Sequence, residues 1–154
     1  MKYKIIKNCQ ICNNKLTKFL DLGKQPLCDD LTKKPNDSNF FKLQVSYCKM
    51  CLTAFQKYNV DKKVLFPKTY HYRSANTSDV VDGMKDLVKS SKKYCPKLKD
   101  KKVLDIGCND GTLLSLFKKE GCITYGIEPT GASNDAKKKG HQIINKYFDL
   151  KTAQ

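Results

Sequence analysis

Two cysteine pairs and one acid-flanked glycine turn are the parts of this 154-residue chain whose residue types and spacing could do chemistry. Cys9-Gln-Ile-Cys12 and Cys48-Lys-Met-Cys51 are C-x-x-C knuckles separated by 35 residues. Each knuckle turn can present two thiolates to one metal, and four thiolates complete a tetrahedron around Zn²⁺. Such a site has no open position, so the expected role is structural rather than catalytic. Disulfides are the competing reading. The start, Met1-Lys2-Tyr3-Lys4-Ile5-Ile6-Lys7, is too short and too charged for a secretion signal, which weighs against them. The flanking pattern does not suit a thioredoxin-like redox pair.

The second constellation is Lys102 to Glu128. Val103, Leu104 and Ile106 form a short apolar run, as a buried parallel strand would. A turn follows, Asp105-Ile-Gly107-Cys-Asn109-Asp-Gly111, and then Leu113, Leu114, Leu116 and Phe117 at helical spacing, with Gly121 as a stop. Ile123 to Ile127 reads as a second strand ending at Glu128. Strand, glycine turn, helix, strand, acid is the layout of a nucleotide-binding βαβ unit. Glycine lets the backbone approach a ligand closely, and Asn109 is among the few residue types that tolerate the left-handed region. A carboxylate in the position of Glu128 can accept hydrogen bonds from both ribose hydroxyls. Acids in the turn suit a cationic sulfonium better than a pyrophosphate, which prefers bare N–H groups.

The run V-L-D-I-G-C-N-D-G-T-L-L with G-I-E-P-T downstream resembles the class I S-adenosylmethionine (SAM)-dependent methyltransferases. More narrowly, the chain resembles the sugar methyltransferases that begin with a four-cysteine zinc module and C-methylate nucleotide-linked keto-deoxysugars. The stretch Asp21-Leu-Gly-Lys-Gln-Pro-Leu27 matches that family's D-L-G-x-x-P-L segment, and Tyr70-His-Tyr72-Arg-Ser74 matches a Y-x-Y-x-S stretch. The resemblance implies SAM and Zn²⁺ as cofactors and a nucleotide sugar as substrate. It implies that Gly107, Asn109 and Gly111 contact the cofactor closely, that Asp105 serves its amino-acid end or an ordered water, and that Glu128 holds the ribose. Tyr70 and Tyr72 become candidates for the sugar site, where tyrosine assists proton transfer. The family's serine-rich continuation after that stretch is here Ala75-Asn-Thr77. The resemblance covers nearly all of this sequence but only the front portion of the family, whose sheet has about four more strands. The family's general base lies in that further portion. The chain is therefore expected to be inactive alone, either as a fragment or as one half of a split enzyme whose remaining half a second chain supplies.

Composition bounds the alternatives. Net charge is +15, which invites a nucleic-acid reading, but the 30 basic residues are 29 Lys and one Arg, Arg73. They are also spread out: residues 1–62 hold 12 basic and 5 acidic residues, and the remainder 18 and 10. A solvated surface is favoured over a nucleic-acid footprint, although the field would attract an anionic substrate. Two alternatives stay open: a non-catalytic basic zinc module that binds nucleic acid or a protein partner, and a complete small methyltransferase with another substrate. No apolar run approaches the ~20 residues of a membrane span, and a cytoplasmic location is the default expectation.

These elements imply an α/β chain: a small four-cysteine zinc-binding domain over 1–62, a connector over 63–78, and over 79–154 an incomplete Rossmann-like SAM-methyltransferase domain. Phe40 to Tyr47 alternates (Phe41, Leu43, Val45, Tyr47) as a half-buried strand should. Cys28 is expected to be a small buried hydrophobe. Val80, Val81, Met84, Leu87 and Val88 form one apolar stripe on a helix from Thr77 to Lys93, capped by Thr77 or Ser78. A short polar helix over Pro129 to Gly140, with Gly140 as its stop, and a third strand over His141 to Asn145 complete the reading, with His141 at the helix-to-strand turn.

Overall fold

The computed structural model describes residues 3–27, 31, 33–34 and 40–154. The expectation for Cys28 lies outside the described residues. The chain divides into two compact units, Met1–Leu65 and Phe66–Gln154.

In the first unit, β1 (Tyr3–Ile5) pairs antiparallel with β5 (Tyr58–Val60). A second antiparallel sheet has the order β2 (Thr17–Pro26), β3 (Phe40–Cys48), β4 (Thr53–Gln56). One short helical turn, α1 (Lys62–Leu65), ends the unit. The strand expected at Phe40–Tyr47 is present, but its inward parity differs from the sequence pattern. Gln44, Ser46 and Cys48 are the buried residues of its second half, whereas Leu43, Val45 and Tyr47 are half-exposed. The cause is Cys48: a strand alternates faces every residue, so turning that thiol inward also turns Ser46 and Gln44 inward. Among the described residues the unit's apolar core is small, made of Cys9, Phe41, Cys48 and Val60. A unit this size has little apolar area to bury, so a metal staple matters to it.

The second unit is a β/α alternation. β6 (Lys102–Ile106), β7 (Ile123–Ile127) and β8 (Gln142–Ile144) form a parallel sheet in the order β6-β7-β8. The connections are α3 (Thr112–Lys119) and α4 (Ala132–Lys138). α2 (Ser78–Ser91) precedes the sheet, and a short α5 (Leu150–Ala153) follows it. Parallel neighbours require a crossover, and the two helices supply it. Val103 sits between two small cores on the helix side: Val88, Leu98, Phe117 and Cys122 form one, and Cys108, Leu114 and Ala136 the other. The opposite parity, Leu104 and Ile106 on β6, Ile123 on β7 and Ile144 on β8, stays largely exposed.

The α2 stripe is only partly core. Val88 is buried, Leu87 is 52% exposed, and Val80 and Met84 turn toward a pocket instead. Thr77 is the N-cap of α2, but its side chain makes no capping bond.

Candidate functional site

Cys9, Cys12, Cys48 and Cys51 come together in the first unit, their four Sγ atoms all within 4.8 Å of one another. Cys12 Sγ and Cys48 Sγ are 3.6 Å apart. Four thiolates at ~2.3 Å from one Zn²⁺ would lie roughly 3.8 Å apart, so the cluster fits the ion with small adjustment. Each knuckle turns its backbone toward its own first sulfur: Ile11 N–H donates to Cys9 Sγ at 3.4 Å, and Cys51 N–H to Cys48 Sγ at 3.5 Å. These bonds orient the thiolates and spread their charge. Both knuckles close on a left-handed residue directly after the second cysteine, Asn13 (φ 59°) and Leu52 (φ 52°). Asn14 Nδ2 donates to Cys12 Sγ at 3.3 Å, and this bond leads in lowering that thiol to about 6. All-sulfur donors select a soft or borderline metal, which agrees with zinc.

In the second unit the glycine turn lies at the carboxyl end of β6, beside the carboxyl end of β7. Gly107 (φ 84°), Asn109 (φ 49°) and Gly111 (φ 74°) all occupy the left-handed region. Gly107 N–H and Cys108 N–H both donate to the Ile127 carbonyl, at 2.7 and 3.2 Å. Glu128 is 5% exposed, and each of its carboxylate oxygens accepts a backbone N–H: Oε2 from Asn109 at 3.0 Å and Oε1 from Thr130 at 2.8 Å. Each oxygen keeps a second lone pair for a ligand. Asn145 Nδ2 holds the same corner, donating to the Glu128 carbonyl at 2.7 Å and to Ser133 Oγ at 2.9 Å.

A pocket of about 460 Å³ opens here. Gly107, Asn109 and Glu128 form its polar floor, with Ile106, Ile127, Val80 and Met84 beside them. Phe66, Tyr70, Tyr72, Tyr147 and Phe148 give it aromatic walls, and Lys146 adds a cation. The rings of Tyr70 and Tyr72 lie with centroids 6.4 Å apart, tilted by 58°, and Phe66 packs edge-on to Tyr70 at 5.6 Å. A buried carboxylate below aromatic walls can hold a nucleoside's hydroxyls and favours a cationic ligand.

The site residues expected from sequence separate here into two groups. Tyr70, Tyr72, Gly107, Asn109 and Glu128 line this one pocket. Gly111 faces elsewhere: a Cβ on it would meet His141 Cδ2 at 2.8 Å and Ala136 Cβ at 3.0 Å, so its smallness serves the packing of α3 against α4. Asp105 shares the parity of Val103, on the helix side of the sheet. Burial, then the neighbouring Glu128 charge, pushes its carboxyl above the usual range.

Residues 66–78, read from sequence as part of a connector, count with the second unit. Gly131 N–H donates to the Lys68 carbonyl at 3.0 Å, and Tyr147 OH to the Phe66 carbonyl at 2.7 Å. Arg73 Nε meets Asp135 Oδ2 at 2.6 Å while its Nη1 donates to the carbonyls of Tyr70 and Tyr72. The sequence signal for this strap was the lone arginine among 29 lysines: a guanidinium can bridge several oxygens at once, and an ammonium does so less well.

Sequence reasoning left His141 as a turn residue. It is 6% exposed, with Nδ1 2.8 Å from Thr124 Oγ1 and Nε2 3.0 Å from Ser115 Oγ. Both ring nitrogens are used in packing α3 and β7 together, which leaves none for a base.

Residues 9–66 match a methyltransferase-associated family model described as "Putative zinc binding domain". Over 140 residues the chain is 26% identical to C-methyltransferase NovU of Streptomyces niveus, a match covering 84% of this chain and 33% of that protein. The chain thus spans about a third of the length of that curated relative. Among the described residues, no helix is long and apolar enough to cross a membrane. With the four cysteines gathered inside the matched residues, the chain is related to the methyltransferases that carry this zinc-binding domain.

Proposed function

We propose that this chain is the zinc-bearing, SAM-binding portion of a methyltransferase acting on a nucleotide-linked deoxysugar, with carbon as the methyl acceptor. The observation that carries the reading is Glu128: a buried carboxylate at the end of β7, hydrogen-bonded to the glycine turn, beneath an aromatic-walled pocket. SAM would supply an electrophilic methyl group on a sulfonium. Glu128 would take the ribose hydroxyls on its free lone pairs. Gly107 leaves room for close approach, since nothing lies within 4 Å of where its Cβ would be. The aromatic faces favour the positive sulfur. Tyr70 and Tyr72 stand where they could steady an enolate oxygen or move its proton. The sugar assignment rests on the likeness to the C-methyltransferase relative.

The sheet suggests what else the activity needs. Leu104, Tyr125, Ile144 and Phe148 line a hollow of about 620 Å³ on its outer face, and among the described residues β6 pairs with β7 alone. Further parallel strands and helices, following in the same polypeptide or supplied by a second chain, would cover that face and pair with the β6 edge. On this reading the described residues bind the cofactor, and turnover needs the added elements.

The test is calorimetric titration of SAM into the zinc-loaded chain and into Glu128→Gln. The amide sets an NH2 against one of the two backbone N–H groups that the carboxylate accepts, so the reading expects stability to fall by about 1–3 kcal/mol and, in titrations kept well below the lowered melting temperature, SAM affinity to fall by about tenfold or more. Equal affinity for both proteins would remove Glu128 from the site and the reading with it.

A further inference from the structure

Asn109 has three polar groups directed at three separate places. Its backbone N–H donates to Glu128 Oε2 at 3.0 Å. Its side-chain Oδ1 accepts from Ser74 N–H at 3.0 Å, and its Nδ2 donates to the Tyr72 carbonyl at 3.2 Å. The carboxamide therefore bridges both sides of residue 73, in the strap that carries the pocket tyrosines. Asp110 reinforces it from the next position. Its Oδ1 accepts from Ser74 Oγ at 2.7 Å, and its Oδ2 from Ala75 N–H at 3.2 Å. Asp110 also accepts from Thr112 N–H at 3.1 Å, so the start of α3 and the strap share one buried carboxylate.

We propose that the Asn109 side chain, seconded by Asp110, is the positioning residue that sets Tyr72 in the pocket wall and couples it to Glu128. The proposal rests on the nucleoside-pocket reading above and adds to it a physical link between the acid and the tyrosine strap. A ligand that draws on the Glu128 lone pairs acts on the group to which Asn109 N–H is bonded. The Asn109 carboxamide passes that constraint to the backbone on both sides of Arg73. Glycine alone could supply the left-handed conformation at this turn position, and it could not reach the strap. The side chain is thus explained by what it holds rather than by the turn it allows.

The geometry also provides a clean variant. Asn109→Gly keeps the N–H to Glu128 and accepts φ 49° without strain, so it deletes only the two strap bonds. Asn109→Asp keeps an acceptor for Ser74 N–H and loses the donor to Tyr72. Amide hydrogen exchange at Ser74 should rise by about tenfold or more in Asn109→Gly and by less in Asn109→Asp, which keeps the Ser74 acceptor but sets an oxygen against the Tyr72 carbonyl, while exchange in β6 and β7 is unchanged. SAM affinity should fall with the Ser74 protection, and SAM should slow exchange over residues 70–75 in the wild type but not in Asn109→Gly. Unchanged Ser74 exchange in Asn109→Gly would overturn the proposal, as would ligand protection of the strap that survives the substitution. If the wild type binds no SAM, the cofactor reading fails, and Ser74 exchange without ligand still decides whether Asn109 positions the strap.

Discussion

Asn109 and Glu128 are joined by a 3.0 Å bond from backbone N–H to carboxylate oxygen, so the glycine turn and the acid that ends β7 form one hydrogen-bonded unit. A ligand on Glu128 and a ligand at the turn would be the same ligand.

The two turn glycines should behave differently. Gly107→Ala meets open space, so its cost in stability is that of a left-handed alanine, about 1–2 kcal/mol, and its main effect falls on the pocket it lines. Gly111→Ala adds a steric clash with Ala136 and His141 to the same strain and should cost about 2–4 kcal/mol. Thermal melts of both variants beside SAM titrations check the contrast.

The zinc unit should depend on its metal more than the β/α unit does. The first unit's core is thin, and structural Zn²⁺ contributes on the order of 10–16 kcal/mol of apparent binding free energy to such folds. Chelation should open β2–β4 to limited proteolysis while residues 66–154 stay resistant. Equal loss of both units on chelation would contradict this.

Leu52→Gly should be stabilising. Leu52 is 75% exposed at φ 52°, so the leucine contributes little burial while holding a conformation that costs a β-carbon residue about 1–2 kcal/mol. After the greater chain entropy of glycine is subtracted, a gain of about 0.5–1 kcal/mol remains. Chemical denaturation of the zinc-loaded chain measures it.

His141 makes folding sensitive to mild acid. Burial, then the charges of Lys118 and Lys139, lowers its pKa below the ordinary 6.5. The unfolded chain therefore binds this proton at higher pH than the folded chain. Stability should be unaffected by His141 above that value, fall as pH drops through it, and level off once the folded form also protonates. The melting temperature followed from pH 8 to about 5 should show this loss, and His141→Gln should flatten it whatever its starting stability.

The β6–α3–β7 segment was legible because apolar spacing, glycine and the terminal acid all point to the same local structure. Ile123–Ile127 is a strand with the bounds the pattern implied, and Asn109 takes the left-handed conformation its residue type permits. The gathering of Cys9, Cys12, Cys48 and Cys51 followed from knuckle spacing. Three features were not legible, each for a reason of range. The inward parity of β3 is set by Cys48 needing its partners, not by the hydropathy of Leu43 and Val45. Arg73 finds Asp135 across 62 positions, and no local pattern announces that pair. The Asn109 side chain is turned to Tyr72 and Ser74 because residues 66–78 fold back over the sheet end, so its residue type alone indicated a turn and not a strap.

The most direct test of the central claim compares ligands for the pocket. SAM, S-adenosylhomocysteine and NAD⁺ would be titrated in turn into the zinc-loaded chain. The account predicts binding of both adenosyl ligands, SAM the tighter because its sulfonium meets the aromatic walls, and no measurable binding of the pyrophosphate-bearing NAD⁺ beside Glu128. Binding of NAD⁺ in preference to SAM, or of none of the three by a folded zinc-loaded chain, would contradict it.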